Sequence, residues 1–204
     1  MGALMTERRP VQATPENWML PPEEGWTYDQ VKDLDLPFDW ELVWGKIRPR
    51  GMTKLWHDRV RNRLYGHLFN ARRTPLAVEA EHCVMIAEDT VLKPDVVVFD
   101  STGLDIFTLE CVPVENVRLV IEVVSPGSRQ EDRFQKPGIL AEAGVPHYWR
   151  VERGDDHFPV VHEFWRHHEV GTFAPAPDRA THRRTLKTDV PFPIEIDLHG
   201  LVEF

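Results

Sequence analysis

Apolar residues follow two different periods along this chain. From Thr53 to about Ala71, Trp56, Val60, Leu64 and Leu68 recur at every fourth position, the stripe of an amphipathic helix. Arg59 and Arg63 flank the stripe on one side, His57 and Arg61 on the other. Thr53 is suited to cap this helix, and Pro75 closes the segment. Beyond it the helical period gives way to short β-branched runs at Leu76–Ile86, Leu92–Phe99 and Val117–Val124, which predict strands. The last two are apolar at nearly every position, so both of their faces need cover. Ser128 to Glu131 is a capping-box sequence for a second helix that should end near Gly144, with Pro146 just beyond. Pro137 inside it removes a backbone donor and predicts a kink or break. His147–Glu152 is the fourth strand and Val160–Arg166 an outer one. Arg179–Phe192 reads as irregular and partly basic, and Ile194–Leu201 ends the pattern.

The order helix, strand, strand, strand, helix, strand predicts an α/β fold with a mixed central sheet flanked by helices. Three strands in quick succession can form an antiparallel meander, and the crossover helix returns the fourth parallel to a neighbour. Before this core, Asp39–Pro49 predicts two short strands around Gly45, and Tyr28–Leu36 a short acidic helix. Residues 1–25 carry Pro10, Pro15, Pro21 and Pro22 without periodicity and predict a flexible arm, leaving 26–204 as a single domain.

Composition narrows the function classes. The 204 residues are 42% hydrophobic and 28% charged, enough for one core, and no apolar run approaches membrane-spanning length. The first residues lack the apolar stretch of a signal peptide, so the expected location is cytoplasmic, with Cys83 and Cys111 as separate reduced thiols. The net charge of -9 argues against a general polyanion binder, but its distribution is uneven. Between Arg48 and Arg73 eight cations face the single acid Asp58, so that segment is +7 and the remainder -16. Such a face suits nucleic acid, with Arg59, Arg61, Arg63 and His57 as the contacts. It is equally the solvated side of an ordinary helix.

The candidate chemistry lies at two acids. Asp95 follows Pro94 at the start of one apolar strand, and Glu122 interrupts the next. An ionised carboxylate in such a run is costly unless compensated, and a divalent cation is the usual compensation when two converge. If the strands pair, both carboxylates project from one edge, with the Val123 carbonyl beside them as a third hard oxygen for Mg²⁺ or Mn²⁺. Lys136, one helical turn beyond Asp132, can serve a scissile phosphate. The competing reading makes Asp95 a loop cap and pairs Glu122 with Arg118 or Lys136. His157, His162, His167 and His168 lack helical pairing and are weaker metal candidates, and the tryptophans read as core.

Glu41-Leu42-Val43 with Gly45, His57, Pro94-Asp95-Val96, Ile121-Glu122-Val123-Val124-Ser125-Pro126, Asp132, Lys136 and Val145-Pro146-His147-Tyr148-Trp149 together resemble the Uma-type restriction endonuclease family of the PD-(D/E)XK nuclease superfamily. The resemblance spans about Asp39 to Leu201. It implies a restriction-endonuclease-like fold and a Mg-dependent endodeoxyribonuclease, with Asp95 and Glu122 as metal-binding acids and Glu81 as a third, Glu79 its same-face rival. The superfamily's lysine two residues after the second acid falls on Val124, and the resemblance assigns its place to Lys136. A tyrosine expected four residues after that lysine is Leu140 here. The expected partner is DNA, with a homodimer for double-strand cleavage. The alternative is a catalytically inactive nuclease-fold scaffold that binds nucleic acid or protein.

Overall fold

Valine and isoleucine crowd the strand runs, and each run pairs where its period places it. The computed structural model describes residues 11–125, 127–128 and 130–203. Its elements begin with α1 (Tyr28–Val31), β1 (Trp40–Val43), β2 (Lys46–Pro49) and α2 (Leu55–Ala71). Strands β3 (Leu76–Ala80), β4 (Val84–Ala87), β5 (Thr90–Leu92), β6 (Val96–Asp100), β7 (Val112–Pro113) and β8 (Val117–Val123) follow. A π-helical turn (Glu131–Gln135) runs into α3 (Lys136–Glu142), and then come β9 (His147–Arg153), β10 (Pro159–Arg166) and β11 (Phe173–Pro175). The chain finishes with β12 (Thr181–His182), β13 (Thr185–Thr188) and β14 (Ile194–Asp197). Contacts divide it into two compact units, Met1–Arg50 with Ala87–Val91, and Gly51–Ile86 with Leu92–Phe204.

In the first unit β1 and β2 form the expected hairpin, with Trp44 and Gly45 both at positive φ in its turn. β1 also pairs antiparallel with β5. Residues 1–10 of the expected arm lie outside the described residues. Residues 11–25 make turns that are tied down by Ala13 N–H to the Gln30 carbonyl (2.9 Å) and Trp26 Nε1 to the Trp18 carbonyl (2.9 Å).

The second unit is built on a mixed seven-stranded sheet in the order β11-β10-β9-β8-β6-β3, with β12 added to β10. β3, β6 and β8 are the antiparallel meander, and β9 returns parallel to β8. Leu119, Ile121 and Val123 face the α2 stripe of Val60, Leu64 and Leu68, and Leu186, Phe192 and Ile196 close the same core. The intervening positions of β8 and β9 face the π turn and α3, where Tyr148 Oη donates to the Asp132 carbonyl (2.7 Å). A helical layer on each face explains why β6 and β8 are buried along nearly their whole length.

Three local expectations change. Lys54, not Thr53, precedes α2; the Thr53 hydroxyl donates to Asp58 Oδ1 (2.6 Å). No capping box forms at the second helix, because the Ser128 hydroxyl is engaged by Ser125 and Asp132 and Glu131 is exposed. Pro137 does break the pattern: the wider π turn precedes it, and Lys136 N–H reaches back to the Glu131 carbonyl. Cys83 and Cys111 are also not separate thiols. They form a disulfide beside the parallel pairing of Val84 with Val112. Sequence spacing had given no sign of it, since β4 and β7 are brought together only by the folded sheet. Among the described residues no helix is long and apolar enough to cross a membrane.

The α2 stripe carries the second unit's core. Leu64 is fully buried, so Leu64→Ala should lower unfolding free energy by about 2–5 kcal/mol. Urea denaturation followed by tryptophan fluorescence measures this, and a loss below about 1 kcal/mol would place the core elsewhere.

Candidate active site

Pro94 sets the start of β6, and the β6–β8 register sets Val96 against Ile121, so Asp95 falls beside Glu122. Both acids are only 2% exposed. Asp95 Oδ2 accepts the Val123 amide N–H at 2.7 Å, and the Asp95 amide donates to Glu122 Oε2 at 3.4 Å. Val123 meets Asp95 through its amide N–H; the expected carbonyl ligand is a different atom of the same residue. His57, one turn into α2, places Nε2 3.2 Å from Asp95 Oδ2 and Nδ1 3.3 Å from Asp58 Oδ1. Burial pulls this imidazole down, but hydrogen bonds and charge from Asp95, then from Asp58, prevail and hold its pKa above the ordinary value.

The cation of the site comes from the opposite helical layer. Lys136 is buried, with Nζ 2.9 Å from Glu122 Oε1 and 3.6 Å from Asp132 Oδ1. The i, i+4 pair with Asp132 thus exists, but inside the protein, where breaking a pair costs about 3–5 kcal/mol against under 1 on the surface. Asp132 is fixed in turn. Its Oδ2 accepts the Ser128 hydroxyl, and its carbonyl accepts the Tyr148 phenol. Burial, then the charge of Glu122 and Asp132, push that phenol well above its ordinary pKa, so it stays a neutral donor. Ser128 joins Ser125 through an Oγ–Oγ contact of 2.9 Å.

A cleft of about 400 Å³ opens beside this network, lined by Lys54, Trp56, His57, Val124, Ser125, Arg133 and Glu152 among others. Arg133 holds Glu152 through two hydrogen bonds (3.1 and 2.6 Å), and Arg150 Nε lies 2.7 Å from the same carboxylate. Burial alone would raise the Glu152 pKa; Arg133 and then Arg150 hold it below its ordinary value.

Of the remaining sequence candidates, Glu81 adjoins the site through its amide N–H, which donates to the Asp95 carbonyl (3.1 Å). Glu79 is exposed on β3. Glu81 lies past its end at φ 52°, a left-handed conformation that breaks the alternation on which its shared face with Glu79 depended. Its carboxylate meets Arg61 Nη1 at 2.7 Å. The other helix arginines are also engaged within the fold. Arg59 donates to the Glu203 carbonyl, and Arg63 donates to the carbonyls of Gly200 (2.5 Å) and Glu203 (2.8 Å). Leu140, standing where a tyrosine was expected, is buried. Sequence reasoning placed His57 on a nucleic-acid face and missed its bond to Asp95; its spacing of three and seven residues from Val60 and Leu64, on the buried side of α2, was the available signal.

Two adjacent carboxylates supply hard oxygen donors, and that donor set fits Mg²⁺ or Mn²⁺. Among the described residues no three His, Cys, Asp or Glu side chains are grouped to hold a metal, so backbone or water oxygens would complete the shell.

No curated protein matches this sequence. Among solved structures, the chain resembles one described as "a putative nuclease belonging to DUF820" from Anabaena variabilis, with 15% identity, a TM-score of 0.55, and coverage of 78% of this chain and 83% of that one. This likeness shows the fold. The Uma2 family, described as "Putative restriction endonuclease", matches residues 27–194, from the N-cap of α1 to the first residue of β14, and the chain belongs to that family.

Proposed function

We propose that this chain is a metal-dependent phosphodiesterase that cleaves DNA. One observation carries the reading: Asp95 just before β6, Glu122 on β8 and Lys136 on α3 converge in one buried network beside an open cleft. Asp95 and Glu122 would hold Mg²⁺ or Mn²⁺. When bound, the cation would lower the pKa of a water and neutralise the attacked phosphate. Lys136, paired with Glu122 and Asp132, would stabilise negative charge developing on the phosphate. His57 bridges Asp95 to the cleft and fixes the orientation of its carboxylate. Cutting both strands with one site per chain would take two copies.

A scaffold without catalysis is the second reading. It is favoured by the direct Lys136–Glu122 pair, which already neutralises one acid, and by Leu140 in place of a tyrosine.

Plasmid and single-stranded substrates with Mg²⁺ or Mn²⁺ separate the two. Wild type should cut, and Asp95→Asn and Glu122→Gln should each lower the rate by about 10²-fold or more, since each removes a charge with little change of shape. Wild-type cleavage by either variant would remove that acid from the site. Calorimetric titration with Mn²⁺ should show binding that Asp95→Ala abolishes; absence of both binding and cleavage selects the scaffold.

Lys136→Met should abolish turnover. It should also cost about 3–5 kcal/mol of stability, because it leaves Glu122 buried beside no ammonium. If Lys136→Met cleaves at the wild-type rate, the lysine is structural only.

A further inference from the structure

The α2 arginines are spent on the fold, but another set of cations faces solvent. Arg179, Thr181, Arg183, Arg184 and Thr185 line a recess of about 410 Å³. All three arginines are exposed, and none has an ion-pair partner among the described residues. The segment that carries them is firmly held. β12 pairs with β10, setting His162 against Thr181 and Val161 against His182. Glu163 N–H donates to the Ala180 carbonyl (2.9 Å). His182 is fully buried with Nε2 3.2 Å from Glu163 Oε2, and the Thr188 hydroxyl donates to Glu163 Oε1 (2.8 Å). Strand alternation around buried His182 then turns Thr181 and Arg183 outward.

We propose that this recess is where the phosphate backbone of a nucleic acid docks. Guanidinium forks with neighbouring hydroxyls are phosphate-binding chemistry, and three unneutralised charges in one recess exceed what a single carboxylate ligand would need. Arginines near the recess extend to the active cleft, where Arg133 and Arg150 share Glu152. His162, 3.3 Å from the Thr181 hydroxyl, is held below its ordinary pKa first by burial, then by Arg150, Arg183 and Arg133, against an opposing pull from Glu152. Arg133 lines the cleft itself. On a chain of net charge -9, a polyanion is repelled from most of the surface, so a strip of this kind fixes its orientation. The identity of the polyanion rests on the nuclease reading; the surface does not.

The test is fluorescence anisotropy of a short labelled DNA duplex with the full chain in EDTA, over a salt series. R179Q/R183Q/R184Q should weaken binding about tenfold or more and flatten the slope of log K against log salt by about 3. A charge-matched R48Q/R72Q/R73Q should bind like wild type. Unchanged binding by the first variant overturns the proposal. So does equal loss in both variants, failure of wild type to bind, or equal competition by polyglutamate. Thermal melting checks the fold, and if the triple variant melts early, Arg183→Gln alone should still reduce the slope by about 1. Cleavage is scored separately with Mg²⁺. Intact wild-type binding that the first variant loses, without any cleavage, would sink the phosphodiesterase reading and leave the docking surface standing.

Discussion

Two carboxylates in a dry sheet interior must be met by positive charge or directed donors, and the site's architecture follows from that requirement. Asp95 and Glu122 occupy positions whose neighbours are valine and isoleucine, 2% exposed to water. The compensation is divided between the two helical layers. His57 comes from α2 to Asp95, Lys136 from the other layer to Glu122, and the Val123 amide completes the first acid's contacts. Neither helix could shift without stranding a buried charge, which makes the network a pin through all three layers as well as a candidate site.

The π turn serves the same end. Pro137 cannot donate its amide, so a regular helix through it would lose a bond and clash with the preceding turn. Widening the turn over Glu131–Gln135 accommodates the proline while leaving Asp132 and Lys136 both buried and Arg133 reaching Glu152. The Tyr148 phenol on the Asp132 carbonyl holds the turn against β9. Departures of this kind from regular geometry are concentrated where function constrains the backbone.

The core was legible because its signals are periodic. The α2 stripe, the apolar runs of β6 and β8 and the crossover to β9 each follow from spacing alone, and the placing of Asp95 beside Glu122 follows once those strands pair. What the sequence concealed depends on contacts between distant segments. Arg59 and Arg63 read as phosphate contacts, and spacing gave no sign of their bonds to the carbonyls of residues 200 and 203. The Glu79–Glu81 face fails because a single left-handed residue resets alternation, and the Cys83–Cys111 bond needs β4 and β7 to meet. Ser128 reads as a helix cap, but Ser125 and Asp132 compete for the same hydroxyl and win.

Placing the ammonium on a helix, and not two residues along the strand from Glu122, has an evolutionary side. Position 124 is released from carrying charge, and Val124 instead forms part of the cleft wall. The groove's shape can then drift by apolar substitution there while the charged network inside is left untouched. The cleft wall and the charged network rest on different residues, so the wall can change shape without disturbing the buried charges behind it.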